Sequence, residues 1–283
     1  MSIETGVLHV VATPIGNLGD ISARALEVLA AVDLIAAEDT RHSATLLNHY
    51  RIDTPLTSLH EHNEAEKCAR LIAQLSAGRT LALISDAGTP LISDPGYRLV
   101  TQARAAGIRV VPLPGACAAI TALSAAGLPT DRFVFEGFLP ARKSARRAQL
   151  DKLVAEPRTL VFYESSHRIA SCIDDMSHGL GAQRRAAIAR ELTKKYEVIQ
   201  GGTLAELGEW LRSDAHRQRG EFVILVEGYV SPDDTFDRTE AVRVLTVLLA
   251  ELPLTKAAKL AAEITGATRN QLYKLGLDID GND

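Results

Sequence analysis

The chain has 283 residues, 46% of them hydrophobic and 23% charged, which is ordinary for a soluble globular protein. Its formal net charge of -4 argues against a general polyanion binder, so any contact with nucleic acid must come from a local basic patch. Three cysteines without a CxxC pair indicate a reducing compartment. No apolar run approaches membrane-spanning length, and we therefore expect a cytoplasmic protein.

Short apolar runs predict the strands of a first domain, residues 1–127. They fall at residues 7–12, 34–37, 56–59, 81–84 and 109–113. Segments with apolar residues at helical spacing lie between these runs. Strands and helices alternate as far as Gly127, which is typical of a doubly wound α/β domain.

A second α/β domain is predicted for residues 128–232, followed by a helical tail at 238–283. Its strands are expected at residues 133–138, 159–163, 186–189, 198–200 and 222–226. The acidic, proline-containing stretch 231–237 has the composition of a linker. In the tail, a turn at Gly266 precedes a helix with polar side chains, which resembles a helix-turn-helix. Those side chains are Arg269, Asn270, Gln271 and Lys274. The tail could be a packing module or an RNA contact.

Turns of Asp, Gly, Pro and small residues follow three of the predicted strands. They read TPIGNL at 13–18, SDAGTP at 85–90 and PG at 114–115. Ligands of open α/β sheets bind outside the carboxyl ends of strands, and small residues let a ligand approach the backbone. Neither a dinucleotide fingerprint nor a P-loop is present. The sequence therefore predicts a ligand cleft, where Asp86 either accepts hydrogen bonds from a ligand or serves only as a turn residue.

Two polar clusters give weak signals for other chemistry. The run His60-Glu61-His62 is not HExxH, and no cysteine is spaced to complete a zinc site, so we expect no metal. Ser165 and Ser166 stand beside His167 without a G-x-S-x-G elbow, which argues against a hydrolase.

Basic side chains gather in the predicted second domain. They are Arg142, Lys143, Arg146 and Arg147, with Arg168, Arg190, Lys194 and Lys195 near strand ends. A basic cluster on a helix is most often a solvated face. Several such groups opening toward one cleft would also suit a phosphate backbone.

Several motifs resemble those of the tetrapyrrole-methylase superfamily. They are TPIGNL at 13–18, EDTR at 38–41, SDAGTP at 85–90 and PG at 114–115. YESSHR at 163–168, RELTK at 190–194 and the helical tail resemble the branch that methylates ribosomal RNA of the small subunit. The resemblance covers nearly the whole chain.

The resemblance implies two α/β domains with a ligand cleft between them, and a homodimer. It implies transfer of a methyl group from S-adenosylmethionine to the ribose 2'-hydroxyl of a cytidine in the decoding region of 16S rRNA, within the small ribosomal subunit. Two alternatives remain open: a tetrapyrrole methylase and a non-catalytic RNA-binding assembly factor. The first loop lacks the usual Gly-x-Gly-Pro-Gly-Asp form, which argues against tetrapyrrole substrates.

Carried over motif by motif, the resemblance predicts donor-binding residues in both domains. They are Pro14, Asp86, Gly88, Thr89, Gly115, Cys117, Ala118 and Tyr163, with Ala189 and Glu221 nearby. Since a ribose hydroxyl needs a base, the catalytic candidates are the acids Asp39, Glu164 and Glu191, with His62, and the cations Arg41 and Arg168. The RNA-binding candidates are Arg142, Arg146, Arg190 and Lys194. The alternative for these charged groups is a structural ion-pair network.

Overall fold

The computed structural model describes residues 5–60, 63–230 and 238–280. The chain divides into two compact units, Met1–Gly228 and Tyr229–Asp283. The predicted linker at 231–237 and the candidate base His62 lie outside the described residues.

Five parallel strands form the first sheet of the larger unit. They are β1 (Val7–Val11), β2 (Leu34–Ala37), β3 (Leu56–Ser58), β4 (Leu81–Ile84) and β5 (Arg109–Leu113). The strand order is β3-β2-β4-β1-β5. Because all five strands are parallel, their carboxyl ends lie along one edge of the sheet.

Helices cover both faces of the first sheet. They are α1 (Ala23–Ala31), α2 (Thr40–His49), α3 (Glu64–Ser76) and α4 (Tyr97–Ala105). Within β4, Ala82 and Ile84 pack with α1 and α2, whereas Leu81 and Leu83 pack with α3 and α4. A strand buried on both faces has no polar alternation, which is why β4 reads as an unbroken apolar run.

The second sheet of this unit is mixed. Its strands are β6 (Phe133–Phe138), β7 (Thr159–Ser165), β8 (Arg185–Arg190), β9 (Val198–Thr203) and β10 (Glu221–Val226), in the order β6-β7-β10-β8-β9. Only the β6–β7 pair is parallel. The helices α6 (Lys143–Lys152), α7 (Ile169–Leu180) and α8 (Leu204–Arg212) pack on one face.

The other face of the second sheet packs against α5 (Ala118–Ala125), which follows β5 of the first sheet. Val161, Ala187 and Val223 from the sheet contact Ala119 and Leu123 of this helix in one apolar cluster. Since α5 starts at the carboxyl edge of the first sheet, the packing brings that edge against the second sheet.

In its described residues the smaller unit consists of three helices, α9 (Arg238–Leu249), α10 (Leu254–Thr265) and α11 (Arg269–Asp280), around a core that includes Leu245, Ala261 and Leu272. Gly266, with φ +73°, ends α10. This arrangement confirms the helix-turn-helix-like tail. In the part of the chain that the structure describes, no helix is long and apolar enough to cross a bilayer.

Candidate functional site

Three loops meet at the carboxyl edge of the first sheet. Thr13 and Gly88 exchange backbone hydrogen bonds, N–H to O=C, of 2.9 and 3.1 Å, which joins the loop after β1 to the loop after β4. The Thr89 hydroxyl donates to the Ala116 carbonyl at 3.0 Å and adds the loop after β5. The three small-residue turns singled out in the sequence therefore form one rim.

Gly115 is required by this close approach. A Cβ on Gly115 would lie 2.7 Å from the Ala12 Cβ at the end of β1, a separation that real side chains do not reach. Any larger residue would push the ends of β1 and β5 apart.

Asp86 links this rim to a fourth loop, the one after β2. Its carboxylate accepts a hydrogen bond of 3.0 Å from the Asp39 backbone N–H. Asp39 in turn caps α2 by accepting from the Arg41 N–H at 2.8 Å and pairs with the Arg41 guanidinium at 3.3 Å. Hydrogen bonds from Arg41 hold the pKa of Asp39 below its usual range, so Asp39 is poorly suited to accept a proton.

A cavity of about 340 Å³ opens where the rim faces the second sheet, within the ~300–1,000 Å³ typical of small-molecule sites. Of the residues predicted from the sequence, eight line it: Gly88, Thr89, Cys117, Ala118, Tyr163, Glu164, Ala189 and Glu221. Pro14 and Gly115 lie beside it in the loops, next to the lining residue Ile15 and the rim carbonyl of Ala116.

Tyr163 connects the two walls of the cavity. Its hydroxyl accepts a hydrogen bond of 3.1 Å from the backbone N–H of Ala119, in the first turn of α5. Its ring makes edge-to-face contacts with Phe135 at 4.9 Å and Phe138 at 5.7 Å between centroids. Burial, first of all, raises the pKa of the Tyr163 phenol, so it remains a neutral hydrogen-bonding group.

Glu164 is a buried carboxylate in the cavity wall, 3% exposed. One oxygen accepts from the Ser165 N–H at 2.8 Å, and the other lies 3.1 Å from Arg168 Nη2. Arg168 also donates to the carbonyl oxygen of Leu139. The structure thus pairs two catalytic candidates, Glu164 and Arg168, with each other.

Glu191 and Lys194 belong to an ion-pair network at the edge of the second sheet. Lys194 contacts Glu191 at 2.9 Å and Glu221 at 2.7 Å. Burial works to raise the pKa of Glu191, but hydrogen bonds from Lys194 and the Glu221 N–H hold it below its usual range. Arg190 donates to the carbonyl of Arg219. Because both groups in contact with Lys194 are carboxylates, it is better explained as a structural cation than as a phosphate ligand.

Arg146 belongs to a buried ion pair. Its side chain is 4% exposed and lies 2.6 Å from the Asp175 carboxylate, which is 2% exposed and also contacts Arg147 at 2.7 Å. A guanidinium committed to a buried pair is poorly placed to contact an RNA backbone, which argues against the RNA-binding prediction at this position. The neighbouring Arg142, just before α6, is exposed.

Sequence reasoning missed Asp94, which lines the cavity. Burial raises the pKa of this carboxyl to about 6, and the nearby Glu38 and Asp86 act in the same direction, while a Ser85 hydrogen bond opposes them. The signal was present in the sequence as Ser-Asp-Pro-Gly at 93–96, a second turn-forming run just after SDAGTP. No group of three or more metal-ligating side chains occurs within residues 5–60, 63–230 and 238–280.

Family models match both units. The model described as Tetrapyrrole (Corrin/Porphyrin) Methylases matches residues 7–208, and the one described as RsmI C-terminal HTH domain matches residues 236–280. Among solved structures, uroporphyrin-III-C-methyltransferase from Thermus thermophilus superposes with a TM-score of 0.53 and 21% identity, covering 78% of this chain and 94% of that chain. At this identity the similarity concerns the fold alone.

Full-length relatives are closer in sequence. The protein named ribosomal RNA small subunit methyltransferase I from Pseudomonas aeruginosa is 58% identical over 280 residues, 99% of each chain. The protein of the same name from Escherichia coli O157:H7 is 56% identical over 276 residues, 98% of this chain and 96% of the relative. The chain therefore belongs to the tetrapyrrole methylase family, in the branch that these relatives form.

Proposed function

We propose that the chain transfers a methyl group from S-adenosylmethionine to the ribose 2'-hydroxyl of a cytidine in the decoding region of 16S rRNA. The observation that carries the proposal is the meeting of three small-residue loops with Tyr163 and Glu164 around one cavity. The names of the full-length relatives support a small-subunit ribosomal RNA as the acceptor.

The cavity suits a cationic donor. Among the lining residues that the structure describes, three are acids, Asp94, Glu164 and Glu221, and none is Lys or Arg. Glu164 and Glu221 are paired with Arg168 and Lys194, but their carboxylate oxygens and those of Asp94 are acceptors to which an ammonium or a hydroxyl of the donor can donate. Gly88 and Ala118 leave the backbone open to close approach, as a donor held mainly by backbone atoms requires.

Bound S-adenosylmethionine supplies an electrophilic methyl carbon on sulfur. The work of the protein is then to hold the acceptor oxygen in line with that carbon and to remove the hydroxyl proton as the new bond forms. We assign proton removal to Asp94, because its side chain lines the cavity and a base with a pKa of about 6 is matched to neutral pH. Glu164, held by Arg168 and the Ser165 N–H, is assigned to orienting the acceptor ribose.

Exposed basic residues outside the cavity would hold the RNA. Arg41 and Arg142 are exposed in the larger unit, and Arg269 and Lys274 in the smaller one. We propose that they contact phosphates of the small subunit in the cytoplasm, and that the chain acts as a homodimer, as the family resemblance implies. Deleting residues 238–283 should weaken subunit binding, and unchanged affinity would assign the tail to packing alone.

A labelled-donor experiment separates the candidate functions. Tritiated S-adenosylmethionine is supplied with small ribosomal subunits, naked 16S rRNA and a tetrapyrrole acid in parallel. The proposal predicts label in RNA. Label in the tetrapyrrole alone would favour the tetrapyrrole methylase, and label in none of the three would favour the non-catalytic assembly factor.

A further inference from the structure

We infer that Phe138 is the stacking platform for the base of the target nucleotide, which it holds at the mouth of the cavity. This inference rests on the proposed function and deepens it by naming the contact that positions the acceptor.

Phe138 combines exposure with a place in the cavity wall. It is 54% exposed and lines the cavity, whereas the more exposed Tyr97 and Tyr196 do not. The edge-to-face contact with Tyr163 supports one side of the ring, and Tyr163 is itself fixed by Phe135 and the Ala119 N–H. A ring that is fixed on one side and exposed to solvent can stack against a planar ligand.

A bulge in β6 aims Phe138 at the cavity. Side chains alternate along a strand, so positions 135 and 138 would ordinarily point to opposite faces. The register against β7 shifts between Phe135 and Gly137, so that Phe138 lies opposite Tyr163, which lines the cavity. Gly137 adopts φ +64°, a conformation that suits glycine. Bulges beside functional sites commonly re-aim a side chain in this way.

The chemistry of the acceptor explains why a base would bind there. A 2'-hydroxyl reaches a recessed cavity only if its nucleotide is turned out of its stacked neighbours. The exposed base then needs a new stacking partner, which aromatic side chains provide for single-stranded RNA. Among the described lining residues none is a Lys or Arg that could bind a phosphate, so the base and ribose are the parts of the nucleotide that fit this mouth.

Three variants test the inference: Phe138→Ala, Phe138→Trp and the matched control Phe133→Ala. Phe133 is on the same strand and is 39% exposed, but it is not part of the cavity wall. The readouts are kcat and KM for small subunits, donor affinity by calorimetry, and the fluorescence of an RNA carrying pyrrolocytidine at the target position.

We expect Phe138→Ala to lower kcat/KM for RNA roughly tenfold or more, the scale of one lost stacking contact. Donor affinity should stay close to that of the wild type, because the inferred platform contacts the base and not the donor. Phe138→Trp should restore activity, Phe133→Ala should match the wild type, and the fluorescence change on binding should be lost only in Phe138→Ala.

Unchanged RNA kinetics in Phe138→Ala would overturn the inference while the proposed function stands. An equal loss of donor affinity would place Phe138 in the donor site instead, and a change in oligomeric state would place it in a subunit contact. If the wild-type chain transfers no methyl group to any RNA, the proposed function fails first, and the inference fails with it.

Discussion

The carboxylate of Asp86 accepts a 3.0 Å hydrogen bond from the backbone N–H of Asp39, and this contact ties the loop after β4 to the loop after β2. Asp86 itself does not line the cavity, whereas Gly88 and Thr89, two and three residues later, do. The hydrogen bond between Asp86 and Asp39 thus fixes the cavity-lining turn from the side away from the cavity.

Asp86→Ala should abolish donor binding because it frees that turn. It also leaves the half-buried Asp39 N–H without its acceptor, at a cost of about 1–3 kcal/mol in the free energy of unfolding. Asp86→Asn is the control, since its side-chain oxygen can still accept. Calorimetry and thermal denaturation measure the two effects, and normal donor affinity in Asp86→Ala would remove the residue from the site.

Asp94→Asn should lower the rate of methyl transfer by about 10²- to 10⁴-fold, the usual contribution of a general base. In the wild type the rate should rise with pH and level off above about 6, the pKa of Asp94. The variant should lose this limb of the pH–rate profile. An unaltered profile in Asp94→Asn would show that another group takes the proton.

Asp94→Asn should also be more stable than the wild type at neutral pH. The folded-state pKa of Asp94, about 6, lies above its ordinary value of 3.8, so the folded state binds the proton more tightly than the unfolded state. Stability therefore falls as pH rises between these values. Melting temperatures should favour Asp94→Asn at about pH 7.5, with the advantage gone at about pH 4. An advantage equal at both values would contradict the raised pKa.

Gly115→Ala should destabilise the protein by about 1–3 kcal/mol, the usual cost of overpacking, and should weaken donor binding, because the new methyl group meets Ala12. Gly201→Ala, in β9, is the matched control, since a Cβ there has nothing within 4 Å. Denaturant titration and calorimetry compare the two variants. Equal stability and equal donor affinity in the two variants would mean that the ends of β1 and β5 can move apart at little cost.

Arg146→Ala should lower the free energy of unfolding by at most about 3–5 kcal/mol, the cost typical of a broken buried ion pair, because Arg147 still compensates the buried carboxylate of Asp175 in part. Arg142→Ala should change stability by no more than about 0.5 kcal/mol but should reduce RNA affinity and its salt dependence. If Arg146→Ala instead reduced RNA affinity and left stability unchanged, Arg146 would be an RNA contact.

Most of the fold follows from local sequence patterns. The unbroken apolar runs at β4 and β10 and the glycines that end helices are readable without coordinates, since burial on both faces removes polar alternation. The bulge in β6 is different, because Phe133–Phe138 reads as an ordinary strand. Its shift depends on how β6 pairs with β7, which is a tertiary effect.

The site was predictable where backbone conformation dictates the residue, and less so where charges are involved. Small residues such as Gly88, Thr89 and Ala118 indicate a turn that a ligand can approach. The sequence shows that a residue is charged but not whether it is paired. Arg146 and Lys194 therefore cannot be told from a solvated cation such as Arg142. Asp175, the partner of Arg146, and Glu221, one of the two partners of Lys194, are distant in sequence, and only folding brings these pairs together.

The most direct test of the account is the identity of the methylated nucleoside. Small subunits lacking the modification are incubated with the protein and S-adenosylmethionine, and the RNA is digested and analysed by mass spectrometry. We predict a single 2'-O-methylcytidine within a decoding-region fragment of 16S rRNA. A methyl group on a base atom, on another nucleotide, or on no RNA at all would contradict it.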